Sequence, residues 1–192
     1  MAKLILASAS PRRLDLLRQI AIEPDRIVHP DIDETPRRRE LPAAYARRLA
    51  LSKAEAVAPD YRGDLILAAD TVVACGRRIL PKAETPADAE ACLDLLSGRR
   101  HRVISGVCLI DGEGQPAVRL VTTIVAFKRL TADEIDSYLA SDEWRGKAGG
   151  YAIQGLAALF VTWLSGSHSN VVGLPLYETA GLLRGRGYDL AV

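Results

Sequence analysis

Apolar positions along the chain fall into short continuous runs and four-residue stripes, the pattern of strands interleaved with helices. Residues 3–7, KLILA, predict a buried strand, and a helix from Pro11 to about Ile20 follows across SASP. The acidic segment HPDIDETP, 29–36, has no period and reads as a loop. A helix is expected from Pro42 to about Ala58, closed by Pro59. Residues 65–74, LILAADTVVA, are the most apolar strand candidate, bounded by Gly63 and Gly76. The segment 85–98 carries a full helix grammar: Thr85 as N-cap, Pro86 at the first position, Asp88 at the third and Gly98 at the end. Strands at 102–110 and 117–127 are joined across DGEGQ as a hairpin. A helix starts after Thr131, with Glu134 placed to complete a capping box. The rest reads as a glycine-rich loop at 146–155, a buried strand at 158–163, a loop at 166–173 and a helix from about Pro175 to Arg184. This order predicts one α/β domain over residues 1–192, built on a mixed sheet, long and cleft-bearing.

Composition narrows the class. Of 192 residues, 48% are apolar and 26% charged, the balance of an ordinary soluble globular protein. The formal net charge of +1 gives no field to attract nucleic acid, and the 5% aromatic content supplies no stacking surface, so nucleic-acid binding is not expected. Any anion site must come from a local cluster. Cys75, Cys92 and Cys108 form no C-x-x-C pair, which suits buried thiols in a reducing, cytoplasmic setting. The N-terminal apolar run is too short for a signal peptide, and no run approaches the roughly 18 apolar residues of a membrane span. A homodimer is the default expectation for assembly.

Five features carry candidate chemistry. Ser8, Ser10, Arg12 and Arg13 sit where a strand becomes a helix, with Ser10 at the N-cap and Pro11 at the first position. Free N–H groups, two hydroxyls and two guanidinium forks there suit phosphate, although a plain capped surface helix fits the same pattern. Lys53 occupies the apolar stripe of Tyr45, Leu49 and Val57, so it either snorkels outward or reaches an anion. Arg47, Arg48 and Glu55 lie off that stripe and read as solvated. Asp70 interrupts an apolar strand, which is costly unless a metal, a lysine or a network binds it. Asp31, Asp33 and Glu34 form a second acidic group, able to hold Mg²⁺ with substrate phosphates or to lie solvated. Lys82, Lys147 and the amide of Gln154, able to read a base edge, complete the set, while Asn170 reads as a loop lock. His29, His101 and His168 have no metal-ligand spacing, and GKAGG lacks the order of a Walker loop.

The segments LILASASPRR (4–13), DIDET (31–35), LSKAEAVA (51–58), AADTVV (68–73), LSGRRHRVISGV (96–107), KAGGYAIQG (147–155) and NVVGLP (170–175) together resemble the Maf family, also called septum-formation inhibitor proteins. That resemblance implies an elongated mixed α/β fold with a deep central cleft, similar to inosine-triphosphate pyrophosphatases. It implies hydrolysis of a nucleoside triphosphate between its α- and β-phosphates with a divalent cation, Mg²⁺ or else Mn²⁺ or Co²⁺. In these terms Asp70 matches the catalytic aspartate, Ser8 and Arg13 the phosphate contacts, Glu34 the acidic metal-associated position, and Lys53 and Lys82 the active-site lysines. Arg12, Thr71 and Gln154 match the specificity positions of the branch similar to dTTP/UTP pyrophosphatases, whereas the 7-methyl-GTP branch carries Trp, Gln and Glu there. The family name also leaves room for a nucleotide-binding regulator of septum formation with little turnover. Two departures from the family pattern stand out: Pro81-Lys82-Ala83 replaces Gly-Lys-Pro, and Gly146 rather than Asp precedes Lys147.

Overall fold

The computed structural model describes residues 2–190. Its strands are β1 (Leu4–Ala7), β2 (Arg26–Val28), β3 (Leu65–Cys75), β4 (Arg78–Leu80), β5 (Arg100–Ile110), β6 (Pro116–Phe127) and β7 (Val161–Ser165). Its α-helices are α1 (Pro11–Gln19), α2 (Pro42–Val57), α3 (Pro86–Leu96), α4 (Ala132–Ala140), α5 (His168–Val172) and α6 (Leu176–Arg184), with short 3-10 turns at Ala58–Asp60 and Leu156–Phe160. All seven strands join one sheet in the order β2-β1-β3-β5-β6-β7, with β4 beside β3. The β1–β2 and β1–β3 pairs are parallel and the others antiparallel, so the sheet is mixed as the patterning predicts.

The central strand β3 is apolar nearly throughout because both its faces are covered. Leu65, Leu67 and Ala69 pack with α1 and α6 residues such as Leu17 and Leu183. Ile66 and Ala68 pack against Ala50, Ala54 and Val57 of α2. A third cluster, around Trp144, Tyr138 and Leu93, fills the space between the sheet, α3 and α4. The expected capping box forms between Thr131 and Glu134, and the Thr85 N-cap closes a second one with Asp88.

Two expectations need correction. Residues 158–163 are not a buried strand. A 3-10 turn occupies Leu156–Phe160, and the strand begins only at Val161, on the sheet edge, leaving Leu159 and Trp163 exposed. Residues 166–173 are not all loop, because Ser167 caps the short helix α5 by accepting from the Asn170 N–H. The helix α2 ends at Val57, next to its expected end, and Pro59 sits inside the 3-10 turn that follows. No helix among the described residues is long and apolar enough to cross a membrane.

Candidate active site

The register of β3 opens a gap in the sheet. β1 stops pairing with β3 at Ala7 opposite Ala68, and β4 begins only at Val73 opposite Leu80. Along that edge Asp70 and Thr71 therefore face no strand, and a cleft of about 320 Å³ lies there. Successive strand residues point to opposite faces. Asp70 turns toward α2, and Thr71 toward α1 and α5, where its Oγ1 lies 3.3 Å from Gly173 O.

On the α2 face, Lys53 Nζ lies 2.6 Å from Asp70 Oδ1 and 2.7 Å from Glu34 Oε1. Lys82 Nζ reaches Glu34 Oε2 at 2.6 Å. The buried lysine in the apolar stripe thus answers the buried aspartate in the apolar strand. Desolvation would raise the Glu34 pKa, but hydrogen bonds and charge from Lys53 and Lys82 outweigh it and hold the carboxyl at about 2. Glu34 is fixed from behind by α2. Tyr45 Oη donates to Glu34 O at 2.6 Å, and Arg48, ion-paired with Glu40, donates to Thr35 O. Arg48 is therefore a clamp on the acidic loop and not a solvated residue. Asp33 turns away to accept from the Thr35 N–H, and of the acidic group only Glu34 lines the cleft.

On the other face Arg13 is buried without a carboxylate partner among the described residues. Its Nε donates to Gly173 O at 2.9 Å, Nη1 to Ser8 Oγ at 2.9 Å and Nη2 to Thr71 Oγ1 at 3.4 Å. Burial pushes its pKa down, and the nearby Asp70 charge pulls it back up. A buried guanidinium held by neutral acceptors is poised for an incoming anion. Arg12 Nε lies 3.4 Å from Val172 O, so α5 steers both arginines. Ser10 occupies the N-cap of α1, but its side chain makes no cap bond; its N–H instead donates to Ser8 Oγ.

The glycine-rich segment forms the far wall. Gly146 N–H donates to Ala83 O, Ala83 N–H to Lys147 O and Gly149 N–H to Pro81 O, so the 81–83 and 146–149 stretches are laced together. Lys82 and Lys147 are brought to one cleft by that lacing, with Pro81-Lys82-Ala83 in place. Burial, and then Arg12, lower the Lys147 pKa. Gln154 lines the cleft from the same segment. The structure gathers Ser8, Ser10, Arg12, Arg13, Glu34, Lys53, Asp70, Thr71, Lys82 and Gln154 in this one place, with Lys147 beside them. Among the described residues lining the cleft, Arg12, Arg13, Lys53, Lys82 and Lys147 face two carboxylates, Glu34 and Asp70, a formal surplus of three positive charges. Such a cleft suits a polyanion.

Residues 3–186 match the family model described as Maf-like protein. The chain belongs to the Maf family. Among its Maf relatives, a protein of Rhodospirillum rubrum named dTTP/UTP pyrophosphatase is 64% identical over 96% of this chain and 88% of its own length. A protein of Caulobacter vibrioides with the same name is 63% identical over 96% of each chain. Among solved structures, a HAM1 protein from Coxiella burnetii superposes with a TM-score of 0.53 over 96% of this chain and all of that one. At 17% identity that likeness bears on the fold alone.

The Maf cleft can be tested for a divalent cation by its donors. No group of three acidic, histidine or cysteine side chains gathers among the described residues. Mg²⁺ does not need one, since it binds through one or two carboxylates plus substrate phosphates. Glu34 and Asp70, bridged by one ammonium group, are such a pair. Their fit is to a cation shared with substrate. Several residues that shape this Maf site were not evident from sequence. Tyr45 and Arg48 hold the acidic loop, Gly173 accepts from Arg13, Ser105 lies 2.9 Å from Thr71 Oγ1, and His101 meets Tyr151. Only Tyr45 gave a signal, as the polar-tipped member of the α2 stripe.

Proposed function

We propose that this protein hydrolyses dTTP and UTP to the nucleoside monophosphate and pyrophosphate. The observation that carries the reading is the set of buried Asp70 and Lys53 with half-buried Glu34, facing an arginine without a carboxylate partner among the described residues, across a cleft with surplus positive charge. The close relatives named dTTP/UTP pyrophosphatase support the substrate class.

In this reading the phosphates lie between the 8–13 turn and the lysines. Asp70 takes a proton from a water molecule. The water oxygen bonds to the α-phosphorus, the bond from that phosphorus to the α,β-bridging oxygen breaks, and pyrophosphate leaves. Arg13, Lys53 and Lys82 hold the charge that develops on the leaving group. Ser8 and Ser10 offer hydroxyl or backbone donors to phosphate, while Arg12, Thr71 and Gln154 select the base. A divalent cation, Mg²⁺ in first place and Mn²⁺ or Co²⁺ after it, would be held by Glu34 and Asp70 with phosphate oxygens and would supply Lewis-acid charge when bound. Three free thiols, two of them buried, suit a cytoplasmic setting.

The test is a panel of dTTP, UTP, CTP, GTP and 7-methyl-GTP with Mg²⁺, products resolved by ion exchange. Monophosphate and pyrophosphate from dTTP and UTP are expected. Turnover of 7-methyl-GTP alone would overturn the roles of Arg12, Thr71 and Gln154. Binding without turnover of any nucleotide would favour a regulator.

A further inference from the structure

The segment that carries Gln154 is held in two different ways. Its first half is tied through backbone to the 81–83 stretch. From residue 151 onward the ties to the body of the protein change character. The Ala152 N–H donates to the Tyr138 phenol at 3.1 Å, and the Tyr151 phenol meets His101 Nε2 at 2.8 Å. Gly149 and Gly150 stand just upstream with φ of +69° and +67°, packed against Val73 and Ala89, so the chain turns there in a conformation and a space that only glycine fits. Beyond these anchors Gln154 reaches the cleft, its amide without a protein partner among the described residues.

His101 is a costly residue for its place. It comes from β5 and is packed edge-on between Phe127 and Tyr151, with ring centroids 5.0 and 5.4 Å away. Its Nδ1 is buried with no hydrogen-bond partner among the described residues. Phenylalanine would fill that aromatic niche without leaving a polar atom orphaned. What the imidazole adds is one bond, to the hydroxyl of a residue that itself lines the cleft. An expense of that kind marks a geometry held for use.

We infer that His101, acting through Tyr151, is a positioning residue for the Gln154 amide, fixing the 151–154 backbone so that the amide meets the edge of the nucleotide base. This rests on the reading of the cleft as a pyrimidine triphosphate site. The arms are separable, because the phosphates sit against the 8–13 turn and the lysines, and His101 touches neither.

The experiment compares two probes by calorimetry with Mg²⁺ present. One is α,β-imido-UTP, which carries base and phosphates and resists cleavage; the other is inorganic tripolyphosphate, which carries phosphates alone. In wild type the nucleotide analogue should bind more tightly. In His101→Phe its affinity should fall about three- to tenfold, the range for one lost hydrogen bond. Tripolyphosphate affinity should stay at the wild-type value, and the melting temperature at neutral pH should hold or rise. His101→Gln, whose amide can reach the same hydroxyl, should restore the analogue's affinity. Tyr151→Phe should repeat the His101→Phe pattern, and it serves if that variant fails to fold. Equal weakening of both probes, no weakening of either, or a wild type that binds the analogue no better than tripolyphosphate would overturn the inference. Absence of turnover in the nucleotide panel, with this binding pattern intact, would sink the hydrolase reading and leave the positioning role standing.

Discussion

A carboxylate inside an apolar strand persists only with a partner, and Asp70 has one in Lys53 at 2.6 Å. Asp70→Asn should keep the fold, because Lys53 still has Glu34, and should lower kcat by about a hundredfold or more. Steady-state kinetics beside a thermal melt would show it; near-normal turnover in a folded variant would remove Asp70 from the role of base. His101 makes a separate prediction. Burial holds its pKa down to about 4 from 6.5. Above pH 6.5 the imidazole is neutral folded or unfolded. As pH falls below 6.5 the unfolded chain takes up a proton that the native state refuses, so stability is lost down to about pH 4 and then levels. That window should contribute about 3 kcal/mol of pH-dependent stability and vanish in His101→Phe, read from denaturant unfolding across pH. Asp70 and Lys53 were legible as misplaced charges in apolar patterns. His101, Ser105 and Gly173 were not, because each acts through a contact 34 or more positions away in sequence, which no local pattern encodes.

At the scale of elements, α2 is both a wall of the core and the carrier of Lys53, Tyr45 and Arg48. Its seat depends on Gly106 of β5, the residue opposite Asp70 in the ladder. A Cβ there would lie 2.3 Å from Ala46 O and 2.8 Å from Ala46 C. Gly106→Ala should push α2 off the sheet, cost about 3 kcal/mol in unfolding free energy and draw Lys53 away from Asp70. Unfolding and kcat measured together would test it, and unchanged values in both would contradict the packing described. The long elements were readable because each carries a period with its own start and stop, as the two capping boxes show. The errors fall where those signals are weak. ALFVTW has no alternation, and while Phe160 is buried, Leu159 and Trp163 face outward from a 3-10 turn and an edge strand, so hydrophobicity alone misplaced it. The helix α5 is five residues long, and β2 and β4 three each, all too short for a period.

The whole molecule owes its cleft to a mismatch in strand lengths. β3 runs past the end of β1 and before the start of β4, which leaves Asp70 and Thr71 uncovered at the edge. Segments from 8–13, 34, 53, 82, 147–154 and 171–173 close around that opening. The net charge of +1 hides this, because the positive surplus is confined to the cleft. The resemblance pointed to the residues; the register supplies the reason they meet. In the proposed reaction water, activated at Asp70, attacks the α-phosphorus of a pyrimidine nucleoside triphosphate. Turnover of dTTP in water enriched in oxygen-18, with products resolved by mass spectrometry, reports which phosphorus is attacked. One labelled oxygen is expected in the monophosphate and none in pyrophosphate. Label in pyrophosphate would place the attack on the β-phosphorus and contradict it.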